Sequence, residues 1–316
     1  MTEQVYRSEV LLNLKNQSFD LALNSVYSRE QALDCLATEI GARQQVALKH
    51  GARPDLGYSH LIDSPGKWKL ELDRHKDFLQ SLGIALDHLE PIVWTTREDE
   101  AWADDFFRQH NLKSVTTFAL FAGALSEHRY YRHYGQALDR VLNKSSYAVI
   151  ALGAARDQAI NQQNFKNITG TVIDATSATT LGQTAAILRR CRLGLGAETG
   201  LAHMACAVGL PHVIVLGGGH FGRFMPYSPL TSAVILPLAC YGCDWQCRYK
   251  KAYCIQDIDP AVIALAIQET LTTSVDKPRL FIQKASQYHR AWFGPQWKAQ
   301  YETYHHSLVQ QQRESI

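Results

Sequence analysis

Residues 198–227 read ETGLAHMACAVGLPHVIVLGGGHFGRFMPY, and the reading of this stretch decides the fold. Thr199 stands at a helix N-cap position, Gly200 and Leu201 open the helix, Gly209 fits the residue just past its end, and Pro211 follows. RLGLGA (192–197) before it and HVIVL (212–216) after it are short apolar runs that read as buried strands. The helix therefore starts at the carboxyl end of a parallel strand. Open α/β sheets bind ligands there, and free N–H groups with the helix dipole favour anions. His203 lies in the first turn. On the next loop Gly217, Gly218 and Gly219 remove side chains where a ligand can approach the backbone, and His220 and Arg223 follow. Each feature alone is more often an ordinary glycine-rich turn with a satisfied histidine. Their coincidence on adjacent loops favours an anion site.

Outward from this stretch the same alternation continues. Strands are expected at 115–124, 147–154 and 170–176, and helices at 130–143 and 180–191. Asp259 as N-cap and Pro260 at the first helical position open a further helix over 258–272. Nearer the start, 19–27 reads as a strand, with helices over 29–42 and 67–84. The charged segment 97–111 reads as a helix connecting two domains. The expected fold is α/β, two Rossmann-like domains with parallel sheets, divided into 1–112 and 113–316. The aromatic, basic stretch 281–306 reads as a packing helix, with a partner surface as the alternative, and an oligomer is left open.

Composition sets the outer limits. The chain has 316 residues, 46% of them hydrophobic, and a formal net charge of +2. This is enough apolar content for real cores and too little charge for a bulk-charge nucleic-acid binder. The longest apolar runs are far short of the ~20 residues that span a bilayer. The N-terminus shows no basic segment followed by an apolar core, so a cytoplasmic location is expected.

Of the seven cysteines, Cys35, Cys191 and Cys206 are scattered among apolar residues and read as core packing. Cys240, Cys243, Cys247 and Cys254 lie in CYGCDWQCRYKKAYC. Four soft ligands in one short loop suit a tetrahedral zinc or iron, with free or disulfide-bonded cysteines as the alternative. The spacing does not match a two-knuckle nucleic-acid finger.

The run Glu198-Thr199-Gly200-x-x-His203-x-Ala205-x-Ala207-x-x-x-Pro211 resembles the signature of glycosyltransferase family 9, the heptosyltransferase-like enzymes of GT-B architecture. The resemblance implies that Glu198, Thr199, Gly200 and His203 line the diphosphate of a nucleotide-sugar donor. Gly123 and Ala124 match a turn that precedes a basic phosphate ligand, a role for Arg129, with Arg132 as the alternative. Gln183 falls where an acidic residue holds the donor ribose. GGGHFGRFMPY and the four cysteines resemble a subgroup acting on autotransporters or polysaccharides, which carries a four-cysteine iron finger; the ion's role would be structural. No catalytic metal is implied. The strand, glycine-rich loop and helix that bear the proposed catalytic Asp at the start of family members are not found ahead of FDLALNSVY, so the N-terminal domain is expected to be incomplete.

No residue is assigned as catalytic base: Asp20, Glu30 and Asp34 do not match, and Arg29 reads as a solvent-exposed helix start. The expected activity is inverting transfer of a sugar, with ADP-heptose as the first donor to try, to a glycan or protein acceptor. The alternatives are a nucleotide-sugar-binding subunit without catalysis and a metal-stapled interaction protein.

Overall fold

The computed structural model describes residues 3–49, 57–64, 66, 69–86, 88–142, 146–283 and 305–309. It forms two compact units, Met1–Leu89 and Glu90–Ile316. The first opens with α1 (Glu3–Lys15), followed by β1 (Leu21–Asn24), α2 (Gln31–Glu39), β2 (Gln44–Leu48), β3 (His60–Ile62) and α3 (Glu71–Ser81). Its three strands pair in parallel in the order β1-β2-β3. Val46, Leu48 and Ile62 bury one sheet face against Phe78 of α3.

The second unit holds α4 (Arg97–Gln109), β4 (Thr116–Phe121), α5 (Tyr134–Leu142), β5 (Tyr147–Ala151), α6 (Gln158–Phe165), β6 (Thr171–Asp174) and α7 (Leu181–Arg190). It continues with β7 (Leu193–Ala197), α8 (Gly200–Ala207), β8 (His212–Val215), β9 (Thr231–Ile235), α9 (Tyr253–Gln256), α10 (Pro260–Thr272), β10 (Arg279–Gln283) and β11 (His305–Val309). Eight strands pair in parallel in the order β11-β10-β9-β8-β7-β4-β5-β6. The chain starts at β4, winds out to β6, returns to the other side of β4 as β7, and winds out again. This reversal is the topological switch point of a doubly wound sheet, where ligands bind.

Both sheet faces are covered, which is why the strands read as unbroken apolar runs. Phe118, Leu120, Val149, Leu195 and Val213 pack with Leu138 of α5 and with Ile263 and Ile267 of α10. Ala119, Ala148 and Ile150 face the other way, onto Phe107 of α4, Leu188 of α7 and Ala205 of α8.

Three expectations change here. The segment 97–111 is not a connector between the compact units, because α4 belongs to the second. A capping box starts it, with Asp99 N–H donating to Thr96 Oγ1 and Thr96 N–H to Asp99 Oδ2. Its carboxylates then hold α7: Arg190 Nη1 meets Glu100 Oε2 at 2.6 Å, Arg190 Nη2 meets Asp104 Oδ1 at 2.7 Å, and Arg189 meets Glu100 Oε1 at 2.5 Å. The expected helix over 281–306 begins instead as the end of β10 and finishes in the start of β11, with 284–304 outside the described residues. Strands β9 and β10 extend the sheet beyond the alternation read from the sequence.

Candidate functional site

Four loops at the carboxyl ends of β4, β5, β6 and β7 enclose a cleft of about 640 Å³, a volume typical of small-molecule sites. Gly123, Ala124 and Arg129 come from the loop after β4, and Gly153 and Asp157 from that after β5. Ser177 and Thr179 follow β6, and Thr199, Gly200 and Leu201 follow β7. Sequence reasoning had not singled out Asp157, Ser177 or Thr179. The recurring strand–small-residue-turn pattern was the signal that places them here.

Thr199 is the N-cap of α8, as its position suggests, but its side chain does not cap the helix. Its hydroxyl turns back to the Ala197 carbonyl at 3.5 Å. The first-turn N–H groups of Gly200 and Leu201 are thus left without a side-chain cap at the cleft wall. A Cβ built on Gly200 would meet no protein atom within 4 Å, so the space before this helix start is open.

Arg129 crosses the switch point. Its Nη2 donates to the main-chain oxygen of Glu198 at 2.6 Å and lies 3.3 Å from that residue's Oε2. Glu198 is 6% exposed. Burial pushes its carboxyl up to about 7, and nearby Arg129 only partly offsets this. Arg132, the alternative phosphate ligand, turns away to Gln163 Oε1 at 3.1 Å.

The other expected donor contacts lie elsewhere. Gln183 is the N3 residue of a capping box: Thr180 N–H donates to its Oε1 at 2.9 Å, and its own N–H donates to Thr180 Oγ1 at 3.2 Å. Its carboxamide oxygen is therefore spent on starting α7. His203 stacks on Tyr227, with ring planes 10° apart and Nδ1 3.1 Å from the phenol oxygen. Burial lowers its pKa, so the ring is held neutral. The room left by Gly218 and Gly219 is taken by the chain itself, since a Cβ at Gly218 would run into the Tyr241 ring and one at Gly219 into Trp245. His220 Nδ1 accepts from Trp245 Nε1 at 3.2 Å. The Arg223 guanidinium lies over the Phe224 ring at 4.7 Å. The glycine loop thus seats the cysteine-rich loop, and the cleft is built from the other four.

Cys240, Cys243, Cys247 and Cys254 line one small enclosed pocket of about 60 Å³, shared with Trp245 and Arg129. Burial is the main cause that raises the Cys240 and Cys254 thiols, with neighbouring cysteines adding to it, and Cys254 reaches about 12. Among the described residues, no group of three or more His, Cys, Asp or Glu side chains stands in metal-ligating geometry. Nor is any helix among them long and apolar enough to cross a membrane.

The model of glycosyltransferase family 9 (heptosyltransferase) matches residues 7–253. The chain belongs to this family. Solved glycosyltransferase structures share the fold at low identity. A family 9 glycosyltransferase from Veillonella parvula superposes with a TM-score of 0.67 at 18% identity, over 83% of this chain and 77% of that one. The E. coli ADP-heptose lipopolysaccharide heptosyltransferase II gives 0.65 at 16% identity, over 85% and 82%. The E. coli heptosyltransferase WaaC with ADP gives 0.58 at 13% identity, over 84% and 78%. No curated protein matches the sequence.

In this family 9 chain the first unit carries a second polar cluster. Arg29 is 1% exposed, not a solvent-facing helix start. Its Nη1 lies 3.7 Å from Asp34 Oδ1 and its Cζ 5.2 Å from the centre of the Tyr58 ring. Asp34 Oδ1 accepts from Tyr58 at 2.8 Å and from Asn24 Nδ2 at 3.2 Å. Burial is the main reason that the Tyr58 phenol is pushed up to about 12. A buried pair with these bonds holds the loop after β1 to the start of α2, and it offers no exposed acid or base.

Proposed function

We propose that this chain transfers a sugar from a nucleoside-diphosphate donor to a hydroxyl of a glycan or protein acceptor, with inversion at the anomeric carbon. The observation that carries the reading is the convergence of Arg129 and the uncapped start of α8 on one nucleotide-sized cleft at the switch point. The donor diphosphate lies against the N–H groups of Gly200 and Leu201, beside Thr199, with the unspent edge of Arg129 facing it. Ser177 and Thr179, on the cleft wall, are the hydroxyl-binding groups for the donor ribose. Glu198 orients Arg129.

In the reaction an acceptor oxygen bonds to the anomeric carbon and gives its proton to a base. The bond from that carbon to the diphosphate oxygen breaks. Negative charge grows on the leaving diphosphate, and the helix-start amides and Arg129, already in place, stabilise it without reorganisation. The named relatives point to ADP-heptose as the first donor to test.

A structural ion in the cysteine pocket is part of the same proposal. Four thiols around about 60 Å³, with Cys240 and Cys254 made costlier to ionise by burial and by neighbouring cysteines, are a donor set that a zinc or iron cation would stabilise. The ion takes no part in the transfer step.

The test is a thermal-shift panel of ADP, GDP and UDP, followed by calorimetry with ADP-heptose and an assay of sugar release with and without acceptor. Stabilisation by one nucleotide and acceptor-dependent release are expected. If no nucleotide raises the melting temperature, the donor-site reading is wrong. Binding without release under any acceptor favours the non-catalytic alternative.

A further inference from the structure

Trp245 has three unusual properties at once. It sits inside the cysteine-rich loop, between Cys243 and Cys247, yet its ring lies 4.3 Å from the Arg129 guanidinium carbon. Its backbone is left-handed, φ +62°, directly after Asp244 at φ +49°. A bulky residue rarely adopts that region, and such strain persists only where the surroundings impose it. The surroundings are visible. Asp244 N–H donates to the Gly219 carbonyl at 3.2 Å, Gly242 N–H donates to the Gly218 carbonyl at 2.7 Å, and Trp245 Nε1 donates to His220 at 3.2 Å. The missing side chains of Gly217 and Gly219 make room for the indole.

We infer that Trp245 is a positioning residue for Arg129, and that the glycine run at 217–219 serves to seat it. Glu198 accepts from one end of the guanidinium, and the guanidinium carbon lies over the indole ring. Among the described residues, every side-chain hydrogen bond of Arg129 goes to Glu198. These two contacts restrain the guanidinium from two sides, while Arg129 still lines the cleft. Planar, preorganised donors lose little freedom when a diphosphate binds. The indole itself is not on the wall of the 640 Å³ cleft, so it acts through Arg129. The inference rests on the reading of that cleft as a nucleoside-diphosphate site.

The experiment is calorimetry of ADP and adenosine with the full chain, comparing wild type, Trp245→Leu, Trp245→Phe, Arg129→Ala and the Trp245→Leu/Arg129→Ala pair. A lost cation–π contact predicts roughly 2- to 30-fold weaker ADP binding in Trp245→Leu. Adenosine binding should stay within about twofold, since adenosine has no phosphate for Arg129 to meet. Trp245→Phe, which keeps an aromatic face, should recover most of the loss. In the Arg129→Ala background Trp245→Leu should add nothing. Equal losses for ADP and adenosine, or an undiminished effect without Arg129, overturn the inference. A second readout needs no ligand: the Arg129 side-chain N–H proton, assigned through Arg129→Lys, should be shifted upfield by the indole in wild type and released in Trp245→Leu. An unshifted resonance overturns the positioning contact. A shifted one in a protein that binds no nucleotide keeps the contact and rejects the donor-site reading.

Discussion

Arg129 and Glu198 tie the loop after β4 to the loop after β7: Nη2 donates to the Glu198 main-chain oxygen at 2.6 Å and approaches its Oε2 at 3.3 Å. The two strands flank the switch point, so the pair fixes the width of the cleft floor. Arg129→Ala removes a charged donor from the diphosphate and leaves a buried carboxyl without its cation. A charged hydrogen bond is worth about 1.5–3 kcal/mol, so ADP should bind roughly 10- to 150-fold more weakly, with adenosine little changed. Calorimetry with both ligands checks this, and equal losses for the two would remove Arg129 from the phosphate site.

Glu198 gives the fold a pH signature. Burial raises its folded pKa to about 7 from 4.5. Between those values the native state holds a proton that the unfolded chain has released. Stability from this residue is therefore fully present below about 4.5 and is lost as pH rises to about 7, by at most about 3 kcal/mol. Glu198→Gln has no such slope. Urea midpoints for both proteins at pH 5 and pH 8 should show the wild type falling relative to the variant; parallel behaviour at both pH values would mean that Glu198 is not buried as described.

Gly200 and Gly218 look alike in the sequence and should respond oppositely to alanine. Nothing stands within 4 Å of a Cβ at Gly200, whereas one at Gly218 collides with Tyr241. Gly200→Ala should unfold within about 0.5 kcal/mol of wild type, while crowding the helix start and weakening ADP binding. Gly218→Ala should lose about 1–3 kcal/mol through overpacking. Denaturation of the two variants side by side decides it, and a stable Gly218→Ala would show that the glycine run does not seat the cysteine-rich loop.

The sequence made β4 through β8 legible because buried parallel strands are apolar on both faces. Strands β9 and β10 were less so, since Thr231, Ser232, Arg279 and Gln283 interrupt the apolar runs. Two of these are satisfied by distant partners: Ser232 Oγ meets Thr270 Oγ1 at 2.7 Å, and Gln283 Nε2 donates to the Asp257 carbonyl at 3.0 Å. The helix start at Thr199 was legible for the local reason that caps and glycines are local signals. The glycine run was not. It reads as room for a ligand until Tyr241 and Trp245, more than twenty residues onward, are seen to fill that room. Gln183 shows the same limit, because only the structure shows its oxygen closing the cap with Thr180.

Glu100 should act as an acid-sensitive clamp between α4 and α7. The Thr95 hydroxyl is the main cause of its pKa falling to about 2, with Arg190 and Arg189 adding to it against some burial. A depressed carboxyl contributes stability above its unfolded value near 4.5 and loses it as pH falls toward 2. Its side chain is one-third exposed, so solvent screening limits the loss in Glu100→Gln to about 1–2 kcal/mol at pH 7. The gap between wild type and variant should narrow from pH 5 to pH 3 in denaturant titrations. A gap independent of pH would assign the effect to packing and not to the ion pairs.

The four cysteines offer a last check, on composition as well as stability. If the pocket they line holds an ion, elemental analysis of the purified chain should find about one zinc or iron per molecule. Cys243→Ser should lower that content, and a strong chelator should lower the melting temperature of the wild type but not of the variant. The pocket also contains Arg129, so metal removal should weaken ADP binding in wild type and leave Arg129→Ala unaffected. A metal-free chain that melts at the same temperature with and without chelator would rule out the ion. The loop would then be held without a metal, by contacts that include the Trp245–His220 bond and its backbone bonds to Gly218 and Gly219.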